Sequence, residues 1–135
     1  MVKPRRERLP GNASDYEDIP EKAWQGTVEE IFGAHQWMVF HVSDSRKRLS
    51  TGQMVGDIGI SGWPDVVAVK LGWMVVLELK RQKGKLTGRQ PEVIRMIMSV
   101  GGNVICGVAR PADVDLVISL AANPHLFDPN ELSNK

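Results

Sequence analysis

The chain is predicted to fold as an α/β domain, a small mixed sheet flanked by helices. Three observations carry that prediction. Apolar residues recur at helical spacing over residues 20–34, 88–100 and 111–120. Four short runs rich in β-branched and other apolar residues read as strands: 37–42 (WMVFHV), 65–70 (DVVAVK), 73–80 (WMVVLELK) and 103–108 (NVICGV). The elements follow one another in the order αβββαβα, which suits one layered domain.

Each element has a local reason. Residues 1–18 are polar, carry Pro4, Pro10 and Gly11, and read as a flexible arm. Asp18 and Glu21 have the spacing of a capping box, and Pro20 is tolerated in a first helical turn. Trp24, Val28, Ile31 and Phe32 then form the apolar stripe of a helix reaching about Ala34. After the first strand, residues 43–63 are rich in Ser, Gly and charge and read as a long loop, of a length that is often functional. Leu71-Gly72 is the turn between the second and third strands, and residues 83–87 form a second loop.

The second helix, over 88–100, turns Val93, Ile94, Ile97 and Met98 toward the core. Thr87 and Gln90 again have capping-box spacing, although Pro91 blurs the start, and Gly101-Gly102 ends the helix. The strand at 103–108 is buried, with Cys106 as core filling. Pro111 opens a third helix carried by Val114, Val117, Ile118 and Leu120. The expected organisation is an arm (1–18), one folded domain (19–122) and an irregular tail (123–135).

Composition narrows the class. A chain of 135 residues with 42% hydrophobic residues fits one domain that buries its own core. No apolar run approaches the roughly 18–20 residues of a membrane span. The basic N-terminus has no apolar stretch behind it, so no secretory signal is expected. The single cysteine excludes an internal disulfide and a Cys-based zinc site, and a cytoplasmic setting is expected. Net charge is only +1, but its distribution is uneven. Arg46, Lys47 and Arg48 form one basic cluster; Lys80, Arg81, Lys83, Lys85, Arg89 and Arg95 form another, and the segment after Pro111 is acidic. Such clusters are either solvated surface or a directional field for a polyanion.

The residues that carry chemistry lie on the hairpin. With Leu71-Gly72 as its turn, Lys70 pairs with Trp73, and counting outward sets Asp65 opposite Glu78. Directly opposed residues share a face with Cβ atoms about 4.5–5.5 Å apart. Lys80, two residues beyond Glu78, projects to the same face. A slip of one residue would break this convergence. Two adjacent carboxylates repel, and a hard divalent cation relieves the repulsion. Such a cation can polarise a phosphate and acidify a bound water, while a lysine stabilises developing charge. Glu78 interrupts an apolar run (MVVLEL), where a charge is costly unless paired or coordinating. A plain salt bridge from Glu78 to Lys80 is the competing reading.

Gly62-Trp63-Pro64-Asp65, Glu78-Leu79-Lys80, Gly84-Lys85-Leu86-Thr87 and Gln90 together resemble the signature of the VRR-NUC nucleases, a branch of the PD-(D/E)XK superfamily. The resemblance extends to Gln25-Gly26-Thr27-Val28, Trp37 and His41, and covers about residues 20–120. Gln36 departs from it, standing where a glycine usually precedes the tryptophan. The resemblance implies a restriction-endonuclease-like core. It implies that Asp65, Glu78 and the main-chain carbonyl of Leu79 hold Mg2+ or Mn2+, that Lys80 is the catalytic lysine, and that Gln90 sits at the active site. An acid in the first helix usually completes such a site, and Glu21 matches it. Glu21, Gln25, Val28 and Phe32 share a helical face, so Glu21 either turns toward the core side as a ligand or caps its helix.

The expected activity is metal-dependent, structure-specific hydrolysis of DNA. Stand-alone domains of this kind resemble Holliday-junction resolvases, which implies a four-way junction as substrate and a homodimer to cut it symmetrically. A flap, nick or single-strand nuclease and a non-catalytic DNA-binding subunit are the alternatives. Arg46, Lys47, Arg48, Arg81, Lys83, Lys85 and Arg89 are the expected phosphate contacts. Trp63, next to the acid, is the tryptophan expected to touch DNA, the others being core. His41 either lines the site or is a half-buried, hydrogen-bonded histidine.

Overall fold

In a computed structural model that describes residues 16–41, 47–48, 54–55 and 61–135, with backbone alone for 41, 47–48 and 54–55, helix α1 spans Glu21–Ala34. Its buried residues are Trp24, Val28, Ile31 and Phe32, the stripe expected from the spacing. The proposed capping box of Asp18 and Glu21 does not form. Pro20 is itself the N-cap, with φ −65° and ψ 150° and no side-chain cap, and its carbonyl accepts from Trp24 N–H at 3.0 Å. Glu21 is therefore the first helical residue rather than the third, and cannot reach back as a box requires.

The C-terminal end of α1 closes as a Schellman motif. Trp37 N–H donates to Phe32 O and Gln36 N–H to Gly33 O, both at 3.1 Å. Gln36 takes a left-handed φ of 65°, and the Phe32 and Trp37 rings meet edge to face at 5.2 Å. The position that departs from the expected glycine is thus the one where a left-handed backbone is needed, and glutamine tolerates it at a cost.

The sheet has four strands in the order β1-β4-β5-β6: β1 (Met38–His41), β4 (Val66–Lys70), β5 (Trp73–Leu79) and β6 (Val104–Ala109). β1 and β4 pair antiparallel, as do β4 and β5, while β5 and β6 are parallel, so the sheet is mixed. Between β1 and β4, where sequence predicts only loop, β2 (Lys47–Arg48) and β3 (Met54–Val55) form a small antiparallel ribbon. Two-residue strands are too short to leave an alternating pattern. The rest of that predicted loop up to residue 60, Arg46 included, and residues 1–15 of the predicted arm lie outside the described residues.

Helix α2 (Gln90–Met98) covers one face of the sheet, and α3 (Val114–Ala122) follows a short turn at Pro111–Asp113. Alternation along the strands divides the core in two. Val66 and Ala68 of β4, Val75, Leu77 and Leu79 of β5, and Ile105 and Ala109 of β6 pack against α1 and α3. Val76, Cys106 and Val108 face the other way and meet Ile94 of α2. Trp24 and Trp37 donate their indole N–H groups to the carbonyls of Ala109 and Ala121, each at 2.9 Å, so these large rings bury without a stranded donor.

The C-terminal residues pack onto β6. Ser133 bridges Val108, whose N–H donates to Ser133 O at 2.8 Å, and Leu132 is buried over Gly107. A Cβ at Gly107 would lie 2.6 Å from that of Leu132, so only glycine admits this packing. Among the described residues no helix is long and apolar enough to cross a membrane.

Candidate active site

The hairpin has the predicted register. Lys70 pairs with Trp73 and Val66 with Leu77, through a turn in which Gly72 has φ 84°. One step further outward brings Asp65 level with Glu78, just past the end of β4. Asp65 Oδ2 accepts from Leu79 N–H at 2.9 Å, which ties the acid to the neighbouring strand. Glu78 and Lys80 project to the α2 side of the sheet, two residues apart.

Glu78 is the feature that sets this corner apart. It is 2% exposed, and among the described residues no other polar or charged side chain is buried. Its Oε2 accepts from Gln90 Nε2 at 3.0 Å and lies 3.7 Å from Lys80 Nζ. Its Oε1 receives no hydrogen bond from a protein donor, and when Glu78 is protonated its carboxyl group bonds the Asp65 carboxylate. Burial, and then the negative charge of Asp65, push its pKa from 4.5 up to about 8, against the opposing pull of Lys80. Cys106, core filling as expected, has its thiol pushed up to about 12 by burial and then by the charge of Glu78. The competing reading of a plain Glu78–Lys80 pair accounts for only part of this, since one carboxylate oxygen is left unmatched.

Gln90 is held at both ends. Its Oε1 accepts from Thr87 N–H at 2.8 Å, and its Nε2 reaches Glu78. Thr87 does not return the bond as a capping box would; α2 begins at Gln90 with Arg89 as N-cap and no side-chain cap. Gly62 brings the preceding loop against this helix start. It has φ 85°, and a Cβ there would lie 2.8 Å from the Arg89 carbonyl carbon and 2.9 Å from Gln90 N. The segment leading to Asp65 and the helix carrying Gln90 are locked together by that absent side chain. Its packing role is a signal that the Gly-Trp-Pro-Asp run alone does not reveal.

The structure therefore brings Asp65, Glu78, Lys80 and Gln90 together, with the buried Leu79 between Glu78 and Lys80 at the end of β5. Glu21 is not drawn in as expected. Val28 and Phe32 on its helical face are buried, but Glu21 itself is exposed at the first turn, and only its charge is felt at Glu78. Among the described residues no group of three or more His, Cys, Asp or Glu side chains is placed to hold a metal ion. The donors that fit one are the Asp65 and Glu78 pair, with the unmatched Oε1 of Glu78 as the free oxygen.

The flanking groups lie at the surface. Trp63 is 38% exposed, and Arg81, Lys83, Lys85 and Arg89 are all on the surface. Glu17, which the sequence did not single out, engages two of them: Lys83 at 3.2 Å, and Arg81, whose Nη2 donates to the Glu17 carbonyl at 3.2 Å. Arg89 pairs with Glu92 at 3.1 Å. The side chains of His41, Lys47 and Arg48 are outside the described residues. Compared with protein-family models and with curated proteins, the chain shows no significant match.

Proposed function

We propose that this chain is a metal-dependent DNA endonuclease with the restriction-endonuclease-like core of the PD-(D/E)XK superfamily, of the VRR-NUC branch. The observation that carries the reading is Glu78: a carboxylate buried in an apolar strand, level with a second carboxylate, with a lysine alongside and one oxygen unmatched. A buried charge in this state is costly, and a divalent cation is the partner that relieves it. Asp65, Glu78 and the main-chain carbonyl of Leu79 would hold Mg2+ or Mn2+, and Glu21 is the acid nearest in charge to join them. When bound, the ion supplies a Lewis acid for the phosphate and lowers the pKa of water. Lys80 offers an ammonium to charge developing on the phosphate, and Gln90 orients Glu78.

The finer reading is a structure-specific enzyme that resolves four-way junctions as a homodimer, with Trp63 and the basic residues around it meeting the DNA. A cleavage panel of four-way, flapped, nicked and linear DNA with each metal tests both levels. Cutting should require Mg2+ or Mn2+ and be abolished by Asp65→Ala and by Glu78→Ala. Cutting that survives in either variant would overturn the mechanism. A monomer that cuts flaps or nicks as readily as junctions would remove the resolvase reading and leave the nuclease.

A further inference from the structure

We infer that a basic cleft next to the carboxylate site holds the phosphodiester backbone of the DNA beside the cut, an inference that rests on the nuclease reading above. The cleft has a volume of about 570 Å³, and its lining carries Lys83, Lys85, Arg95, Arg110 and Lys135 and no acidic side chain. Its lining comes from the loop that follows Lys80, from Pro91 and Arg95 of α2, and from Arg110 with Asn134 and Lys135. The cleft begins where the acid site ends: a Cβ at Gly84 would lie 3.4 Å from that of Lys80.

The five cations are not equivalent. Arg110 is a brace, with Nη2 donating to Gly84 O at 2.7 Å and Lys135 O at 2.8 Å. Its main-chain N–H bonds Asp113, and Lys83 is paired with Glu17. Lys85 and Arg95 differ: both are exposed, and neither has an ion pair or side-chain hydrogen bond among the described residues. Lys85 and Arg95 line one cleft that carries no Asp or Glu side chain, and two unpaired like charges so placed favour an anionic partner. Lys85 stands on the loop and Arg95 on α2, each an exposed long side chain, so the two do not converge on a point. That arrangement suits a chain of phosphates better than one small anion.

The test is binding of a short labelled DNA duplex in EDTA across a series of salt concentrations. Lys85→Gln and Arg95→Gln should each reduce the slope of log affinity against log salt by about 0.9, one phosphate contact apiece. Lys70→Gln, the same charge change at the far hairpin turn, should leave the slope unchanged, and Asp65→Ala should bind with at least the wild-type slope while failing to cut. Wild-type slopes in both cleft variants, with cutting intact in the parent, would overturn the cleft and spare the nuclease. Cleft-dependent binding without metal-dependent cutting would leave the cleft standing and sink the nuclease. A parent that does not bind duplex at all would overturn both.

Discussion

Replacing Glu78 by glutamine removes a buried charge while keeping the side chain's shape, and the consequence for stability can be worked out. The folded protein holds the Glu78 proton more tightly than the unfolded chain does, with a pKa raised from 4.5 to about 8. The stability this group contributes is fully present below about pH 4.5 and is lost as pH rises through about 8. At about 1.4 kcal/mol per pH unit, that interval sets an upper bound of about 5 kcal/mol, and a change of a few kcal/mol is expected. Glutamine cannot ionise. Its oxygen can accept from Gln90, and its amide can donate to Asp65, the carboxylate Glu78 itself faces. In EDTA, urea unfolding of the parent should weaken between about pH 5 and about pH 9, while Glu78→Gln stays comparatively flat and is the more stable protein at the alkaline end. Groups remote from Glu78 cancel in the difference, and Cys106 feels a smaller upward push once the charge of Glu78 is gone. Mg2+ should restore stability to the parent at alkaline pH and do little for the variant. Parallel pH curves for the two proteins would refute the account of Glu78 as a strained, proton-holding carboxylate.

Other outcomes follow from single contacts. Gln90→Ala removes the donor to Glu78 Oε2; cutting should slow by about 10–100-fold and the acid limb of its pH–rate profile should move to higher pH, which loss of folding alone would not cause. Gln36→Gly relieves a left-handed residue at the end of α1 and should raise stability by about 0.5–1 kcal/mol in chemical unfolding. Gly62→Ala forces a methyl onto the start of α2 and should cost about 2 kcal/mol, with a matching fall in activity. Leu132→Ala empties the space over Gly107 and should cost about 2–3 kcal/mol in the same assay.

The parts of this molecule that were legible in sequence are those governed by short periods. A two-residue turn and the alternation of a strand set Asp65 level with Glu78, because a hairpin leaves few registers once its turn is known. The stripe of Trp24, Val28, Ile31 and Phe32 defined α1 for the same reason. What sequence missed depends on contacts with other segments or on one backbone angle. The Asp18–Glu21 spacing suggested a cap, but Pro20 in an extended conformation took the position. Glu21 shares a face with core residues yet sits at the helix end, where the face runs out into solvent. The Arg110 brace joins residues far apart in the chain, and no local pattern announces it.

The bridge between Ser133 and Val108 bears on how copies of this chain could associate. A mixed sheet has two outer strands, here β1 and β6, and each is a template for pairing with another chain. The C-terminal residues occupy the outer side of β6 at Val108, so that margin is obstructed from within. Among the described residues β1 is left as the free margin. Joining β1 of one molecule to β6 of the next would extend without limit, whereas joining β1 to β1 closes on a two-fold axis and stops. A blocked margin on one side thus favours finite association through strands over fibre growth.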